Sequence, residues 1–112
     1  MRAQPEAILH AKIYRGLRDR GIFAFHPANG GKRGLREAAA FKAQGVVAGV
    51  PDLILIHDGR VMGLEVKAPG RKSSTTATQK QIHRRMFEAG APVHVVDDFD
   101  EAMLIAEAWA DV

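Results

Sequence analysis

The stretch GVPDLILIHDGRVMGLEVKAPG, residues 49 to 70, decides the fold. Two apolar runs flank Asp58-Gly59. Both of these positions accept the positive φ that a two-residue type I′ hairpin loop requires. With those two residues as the whole loop, His57 faces Arg60, and facing positions sum to one constant number along the ladder, so Asp52 faces Glu65. Directly opposed residues hold their Cβ atoms about 4.5–5.5 Å apart on one face, where like charges repel. Lys67 lies two residues beyond Glu65 and points to the same face by strand alternation. It offsets one of the two negative charges, and a divalent cation would supply the rest. Ile54, Ile56 and Val61 share this face in the same register, so the carboxylates border apolar surface, where an unpaired charge is costly. Two alternatives stay open on these residues. A cross-strand salt bridge of Asp52, Glu65 and Lys67 at a sheet margin needs no cation, and a three- or four-residue turn would break the register.

Outward from the hairpin, Pro5 at a helix start, Leu9, Ile13 and Leu17 on one stripe and Gly21 as a stop predict a first helix. IFAFH (22–26) alternates like a strand, PANGGKRG (27–34) reads as a basic loop, and LREAAAFKAQ (35–44) reads as a helix ending at Gly45. Past the Ser/Thr-rich GRKSSTTA, the pattern Thr76-Ala77-Thr78-Gln79 is a capping box that starts a helix running to Gly90. PVHVV (92–96) is a fourth strand, and Asp98 with Glu101 forms a second box ahead of a last helix containing Ala102, Ile105 and Trp109. There is no repeat and no interdomain linker. The order α-β-(α)-β-β-α-β-α predicts one α/β (α+β) domain over residues 1–112, with a central mixed four-stranded sheet flanked by helices.

Composition bounds the function. The 112 residues are 46% hydrophobic and 26% charged, as in ordinary soluble domains. The absence of cysteine excludes disulfides and thiolate zinc sites. The start MRAQPEAILHAK lacks the apolar core of a signal peptide and no run approaches a membrane span, so the expectation is an intracellular protein without a membrane role. His10, His26, His57, His83 and His94 lack zinc-site spacing and read as packing or surface residues. The net charge is only +3, but it is segregated. Residues 66 to 87 carry Lys67, Arg71, Lys72, Lys80, Arg84 and Arg85 with no acid, residues 21 to 36 carry Lys32, Arg33 and Arg36, and everything after Arg85 is acidic or neutral. One face that attracts a polyanion fits this pattern, and so does ordinary solvated surface.

Two more polar residues point toward the hairpin acids. Glu6 precedes Leu9, Ile13 and Leu17 by three, seven and eleven residues, which centres it on the apolar stripe, although an acid in the first turn also complements the helix dipole. Gln79 opens the inward face of its helix ahead of Ile82 and Met86, beside its capping role.

Taken together, Glu6, Asp52, Glu65, Lys67 and Gln79, in this order of elements, resemble the PD-(D/E)XK nuclease superfamily. More closely, GVPDLIL (49–55), LEVK (64–67), FHPANGG (25–31), Gln79 and the leading Glu6 resemble the virus-type replication-repair nuclease family, VRR-NUC, over nearly the whole chain. The resemblance implies a restriction-endonuclease-like core. It implies that Asp52 and Glu65, with the backbone carbonyl of Val66, bind Mg²⁺ or Mn²⁺, and that Glu6 completes the site directly or through water. Lys67 would position the attacking water and balance developing charge, and Gln79 would orient the site. Independently, carboxylates and carbonyls are hard oxygen donors suited to these ions.

The implied activity is endonucleolytic hydrolysis of DNA phosphodiesters leaving 5′-phosphate and 3′-hydroxyl ends, as in DNA repair. Stand-alone members, commonly phage-encoded, look like homodimeric enzymes acting on four-way Holliday junctions, so a homodimer in a bacterial cytoplasm, host- or phage-encoded, is expected. Asn29, Lys32, Arg33 and Arg36 on one side and Arg71, Lys72, Lys80 and Arg84 on the other are the candidate DNA contacts. At 6% aromatic content there is no stacking platform, which favours recognition of shape over sequence. A restriction-type duplex endonuclease and a noncatalytic DNA-binding module remain the alternatives.

Overall fold

The computed structural model describes residues 4 to 28 and 34 to 112. Asp58 and Gly59 adopt φ of 50° and 74°, the pair of positive values that a type I′ loop needs. β2 (Leu53–His57) and β3 (Arg60–Val66) pair antiparallel from His57↔Arg60 to Leu53↔Leu64, the register expected from the sequence. β1 (Phe23–Phe25) adds antiparallel to β2, with Phe23↔Ile56 and Phe25↔Ile54. β4 (Val93–Val96) adds parallel to β3, giving a mixed sheet of order β1-β2-β3-β4. The parallel step needs a crossover, which α3 (Ala77–Glu88) provides.

Strand alternation gives the sheet two unlike faces. Leu53, Leu55, Met62, Leu64 and Val66 are wholly buried, and they form one cluster with Leu9, Ile13 and Leu17 of α1 (Pro5–Asp19) and Ala102, Met103 and Ala106 of α4 (Phe99–Ala110). Truncating any of these leucines to alanine would cost about 2–5 kcal/mol. The other face presents Ile54, Ile56, Val61, Gly63 and Glu65 toward α3 and is less well covered. Ile54 and Val61 are half-buried there and Ile56 is 39% exposed. α2 (Leu35–Ala43) buries none of its residues.

The Thr76 box forms as its sequence predicts: Thr76 Oγ1 accepts from the Gln79 amide at 3.1 Å and Gln79 Oε1 accepts from the Thr76 amide at 2.9 Å. The second box departs from expectation. Asp98 caps the Glu101 amide at 2.9 Å, but the Glu101 carboxylate accepts from Lys72 Nζ at 2.6 Å instead of returning to Asp98. A charged ammonium within reach is a stronger donor than a neutral amide. No helix among the described residues is long and apolar enough to cross a membrane.

Candidate functional site

The site begins where the antiparallel ladder stops. His57↔Arg60 closes the two-residue loop, and hydrogen-bonded pairs alternate with unbonded ones from there. Leu53↔Leu64 is therefore a bonded pair, and continued register places Asp52 and Glu65 at an unbonded position, where side chains approach most closely. The next bonded position would match Pro51 with Val66, but proline has no N–H to give the Val66 carbonyl. The chain bends at Asp52, and Asp52 Oδ2 takes the Val66 N–H at 2.8 Å. Two glycines allow this bend. A Cβ on Gly63 would lie 2.5 Å from Pro51 Cγ, so the proline ring seats directly on the glycine. Gly49, at φ +91°, brings the approach to β2 against α3, where a Cβ would meet the Thr78 carbonyl at 2.9 Å.

Around this bend the sequence-predicted residues converge. Glu65 is 3% exposed and Lys67 is 8% exposed. Lys67 Nζ lies 3.4 Å from Glu65 Oε2 and donates to Gln79 Oε1 at 3.0 Å, while Gln79 Nε2 donates to Glu65 Oε2 at 3.1 Å. Gln79 thus serves the helix cap and contacts both Lys67 and Glu65 with the same amide group. Glu65 Oε1 is buried and makes no hydrogen bond. His83 Nε2, 4.0 Å from it, is likewise buried and unbonded. Burial, and after it the neighbouring Asp52 charge, push the Glu65 carboxyl up to about 7 against the pull of Lys67. Burial and the Lys67 charge lower His83, which favours its neutral form.

These features fit a divalent cation on oxygen ligands. Glu65 Oε1 is a buried acceptor without a donor, Asp52 adds a second carboxylate, and the Val66 carbonyl gets no N–H from Pro51. All three are hard donors of the kind that Mg²⁺ and Mn²⁺ take.

The histidines require a correction. His10, His26 and Asp52 each offer a ligand atom, and these atoms lie within 4.8 Å of one another. His83 sits against Glu65. The reading of the histidines as packing or surface residues is complete for His57, whose ring centroid lies 6.4 Å from that of Trp109, and the exposed His94, while His10, His26 and His83 also lie beside carboxylates. The grouping arises because β1 delivers His26 beside the start of β2 and α1 lays His10 over it, a closeness that spacing along the chain does not carry. A local signal existed: His10 follows Glu6, and His83 follows Gln79, by one helical turn on the same face. Glu6 itself is exposed rather than set in the apolar stripe, yet it lines a cavity of about 460 Å³ together with Gln4, Ala7, His10, His26 and Asp52. Burial and the neighbouring His26 lower the His10 pKa.

Among solved structures, the chain is similar to a "VRR_NUC domain protein" at 23% sequence identity, with a TM-score of 0.75 over 99% of this chain and 92% of that one. A second, titled "VRR_NUC domain", matches at 20% identity and a TM-score of 0.68 over 96% of this chain and 99% of the other. The fold is that of VRR_NUC domains. No family model and no curated protein matches the chain.

On this VRR_NUC fold the candidate DNA contacts are distributed unevenly. Asn29, Lys32 and Arg33 lie outside the described residues. Arg36, Arg71, Lys80 and Arg84 are all exposed, and Lys80 and Arg84 sit one turn apart on α3, each next in sequence to a site residue, Gln79 or His83. Lys72 is already engaged by Glu101 at 2.6 Å and Asp97 at 4.0 Å, so its charge is compensated within the chain.

Proposed function

We propose that the chain is a metal-dependent endodeoxyribonuclease of the PD-(D/E)XK type that hydrolyses phosphodiester bonds to 5′-phosphate and 3′-hydroxyl ends. One observation carries the reading. A buried glutamate with an unbonded oxygen is held in register beside Asp52, flanked by a buried lysine and a glutamine that binds both. A salt bridge of Asp52, Glu65 and Lys67 accounts for Glu65 Oε2 but leaves Oε1 buried and unmet, a cost that a cation would remove.

Asp52, Glu65 and the Val66 carbonyl would hold Mg²⁺ or Mn²⁺, and Glu6, which lines a cavity beside Asp52, would complete the site directly or through water. Such an ion polarises the phosphoryl group and makes water acidic enough to attack near neutral pH. Lys67 keeps a positive charge where the phosphoryl oxygens gain negative charge in the transition state. Gln79 fixes Lys67 Nζ and Glu65 Oε2 relative to each other, so neither group has to reorganise during the reaction.

The substrate reading is a branched DNA, a four-way junction above all, cut by a homodimer. Exposed Lys80 and Arg84 beside the site support backbone contact. Phe23 and Phe25 on edge strand β1, 62% and 42% exposed beside Ile56, supply apolar surface of the kind a second copy covers. The test is incubation with labelled four-way junction, flap and linear duplex in Mg²⁺, Mn²⁺ or EDTA, with light scattering to measure the mass. Junction cleavage that needs metal, in a dimer, is the expected result. Asp52→Asn, which keeps an acceptor for the Val66 amide, should abolish cleavage and spare binding. A binding module would cut nothing in any metal, and a restriction-type enzyme would cut the linear duplex.

A further inference from the structure

We propose that His10, His26 and Asp52 form a transition-metal site of their own, for Zn²⁺, Co²⁺ or Mn²⁺. Four observations converge on it. First, the three ligand atoms come from α1, the residue after β1 and the residue before β2, and already lie within 4.8 Å of one another. A tetrahedral ion with bonds of about 2.1 Å holds its donors about 3.4 Å apart, so the set has to draw together by no more than about 1.4 Å.

Second, His26 Nδ1 lies 2.5 Å from the Asp52 carbonyl oxygen. A carbonyl only accepts, so Nδ1 carries the proton and Nε2 of the neutral ring presents a lone pair. A hydrogen bond from the non-ligating nitrogen to a backbone carbonyl is the usual support for a metal-binding histidine. Third, Asp52 Oδ2 is anchored on the Val66 amide at 2.8 Å, so the carboxylate is held in place between the two sets of partners. Fourth, the three residues share the cavity of about 460 Å³ with Glu6 and Gln4, and its described lining includes no lysine or arginine. Two carboxylates facing two imidazoles with no ammonium or guanidinium leave a negative hollow large enough for an ion with bound water.

The donor chemistry selects the metal. Imidazole suits Zn²⁺, Co²⁺ and, more weakly, Mn²⁺, while Mg²⁺ prefers all-oxygen shells. The two centres therefore differ in kind even though they share Asp52: carboxylate and carbonyl oxygens on the Glu65 side, nitrogen on the His side. This inference does not require the nuclease reading to be correct.

The probe is Zn²⁺ alone, titrated into the metal-free full chain and followed by the imidazole ¹⁵N resonances. One equivalent should move the ring nitrogens of His10 and His26 and leave His57 and His94 in place, with excess Mg²⁺ producing no such shift. By calorimetry, His26→Ala should weaken Zn²⁺ binding at least about tenfold with its circular dichroism spectrum unchanged. Glu65→Gln should retain the Zn²⁺ response. Equal shifts at all histidines, or a His26→Ala chain that binds Zn²⁺ as the parent does, would overturn the proposal. Loss of Mg²⁺-dependent cleavage in Glu65→Gln reports on the nuclease reading separately. If the parent cuts no DNA yet shows the His10 and His26 shifts, the nuclease reading fails and this site stands.

Discussion

Replacing Glu65 with glutamine should stabilise the metal-free protein by an amount that grows from pH 4.5 to about 7 and is constant above it. The carboxyl is raised from its ordinary 4.5 to about 7 by burial and by Asp52. The folded chain therefore binds a proton that the unfolded chain has released between those two values. Stability contributed by this group falls as pH rises through that window and is fully lost above about 7. The cost follows from the separation of the two values at about 1.4 kcal/mol per pH unit, on the order of 3 kcal/mol. Lys67 loses a partner in the variant, so the net gain is smaller than this. For a chain of this size each 1 kcal/mol moves the melting temperature by about 4 °C, so Glu65→Gln should melt up to roughly 10 °C above the parent at pH 8 in EDTA. The two should converge below about pH 4.5, where the parent carboxyl is protonated in both states. Adding Mg²⁺ at pH 8 should raise the parent and leave the variant nearly unmoved, because only an ionised pair of carboxylates recruits the ion. The measurement is a set of melts by circular dichroism across pH, with EDTA and with Mg²⁺. A parent-to-variant difference that is the same at pH 5 and pH 8 would falsify the assignment of Glu65 as a buried acid that ionises only near neutrality.

Three further substitutions probe the same architecture. Lys67→Met leaves Glu65 and Asp52 without their internal cation, and should destabilise the metal-free chain at pH 8 by about 3 kcal/mol while abolishing cleavage; an unchanged melt would show that Lys67 carries no compensating charge. Gly63→Ala drives a methyl to 2.5 Å from Pro51 Cγ, so denaturant unfolding should register a loss of about 1–3 kcal/mol, with cleavage reduced further because Asp52 follows the displaced proline. Thr76→Ala removes the α3 cap at a cost of about 1 kcal/mol, yet keeps the Gln79 bonds to Lys67 and Glu65. Its cleavage rate should stay within a few-fold of the parent, and a loss as deep as that of Gln79→Ala would tie activity to the cap rather than to the amide.

The hairpin was legible because its information is local. Asp58-Gly59 dictates a two-residue loop, the loop dictates the register, and the register alone pairs Asp52 with Glu65 and sets Lys67 on their face. Gln79 was legible for a similar reason, since a capping box fixes where a helix starts and hence which way its third residue points. The histidines were not legible from chain spacing, because His10, His26 and Asp52 meet only after α1 and β1 have packed. Lys72 misleads in the opposite direction. Its place in an acid-free run suggests a DNA contact, but the run of acids that neutralises it belongs to the start of α4, brought there by the parallel crossover. Glu6 falls between the two cases. Its helical position gave its direction correctly enough to reach the Asp52 cavity, while its exposure shows that the apolar stripe ends before it.

The position of the site follows from the unequal lengths of the strands around β3. On one side β4 continues the ladder to the Lys67 amide, which donates to the Val96 carbonyl at 2.9 Å. On the other side β2 is ended two residues short of Val66 by Pro51, whose missing N–H forbids the next bonded pair. Glu65, Val66 and Lys67 are therefore held rigid by one neighbour while their opposite edge is left to side chains. Asp52 fills half of that edge by accepting the Val66 N–H, and the Val66 carbonyl is the half that proline leaves for another partner. A cation drawn to the carboxylates would meet a backbone oxygen already fixed in direction, at no further conformational cost. On this view the proline of Pro51-Asp52 is as much a part of the site as the acid, because it converts the end of a β-ladder into a place where oxygen ligands outnumber donors.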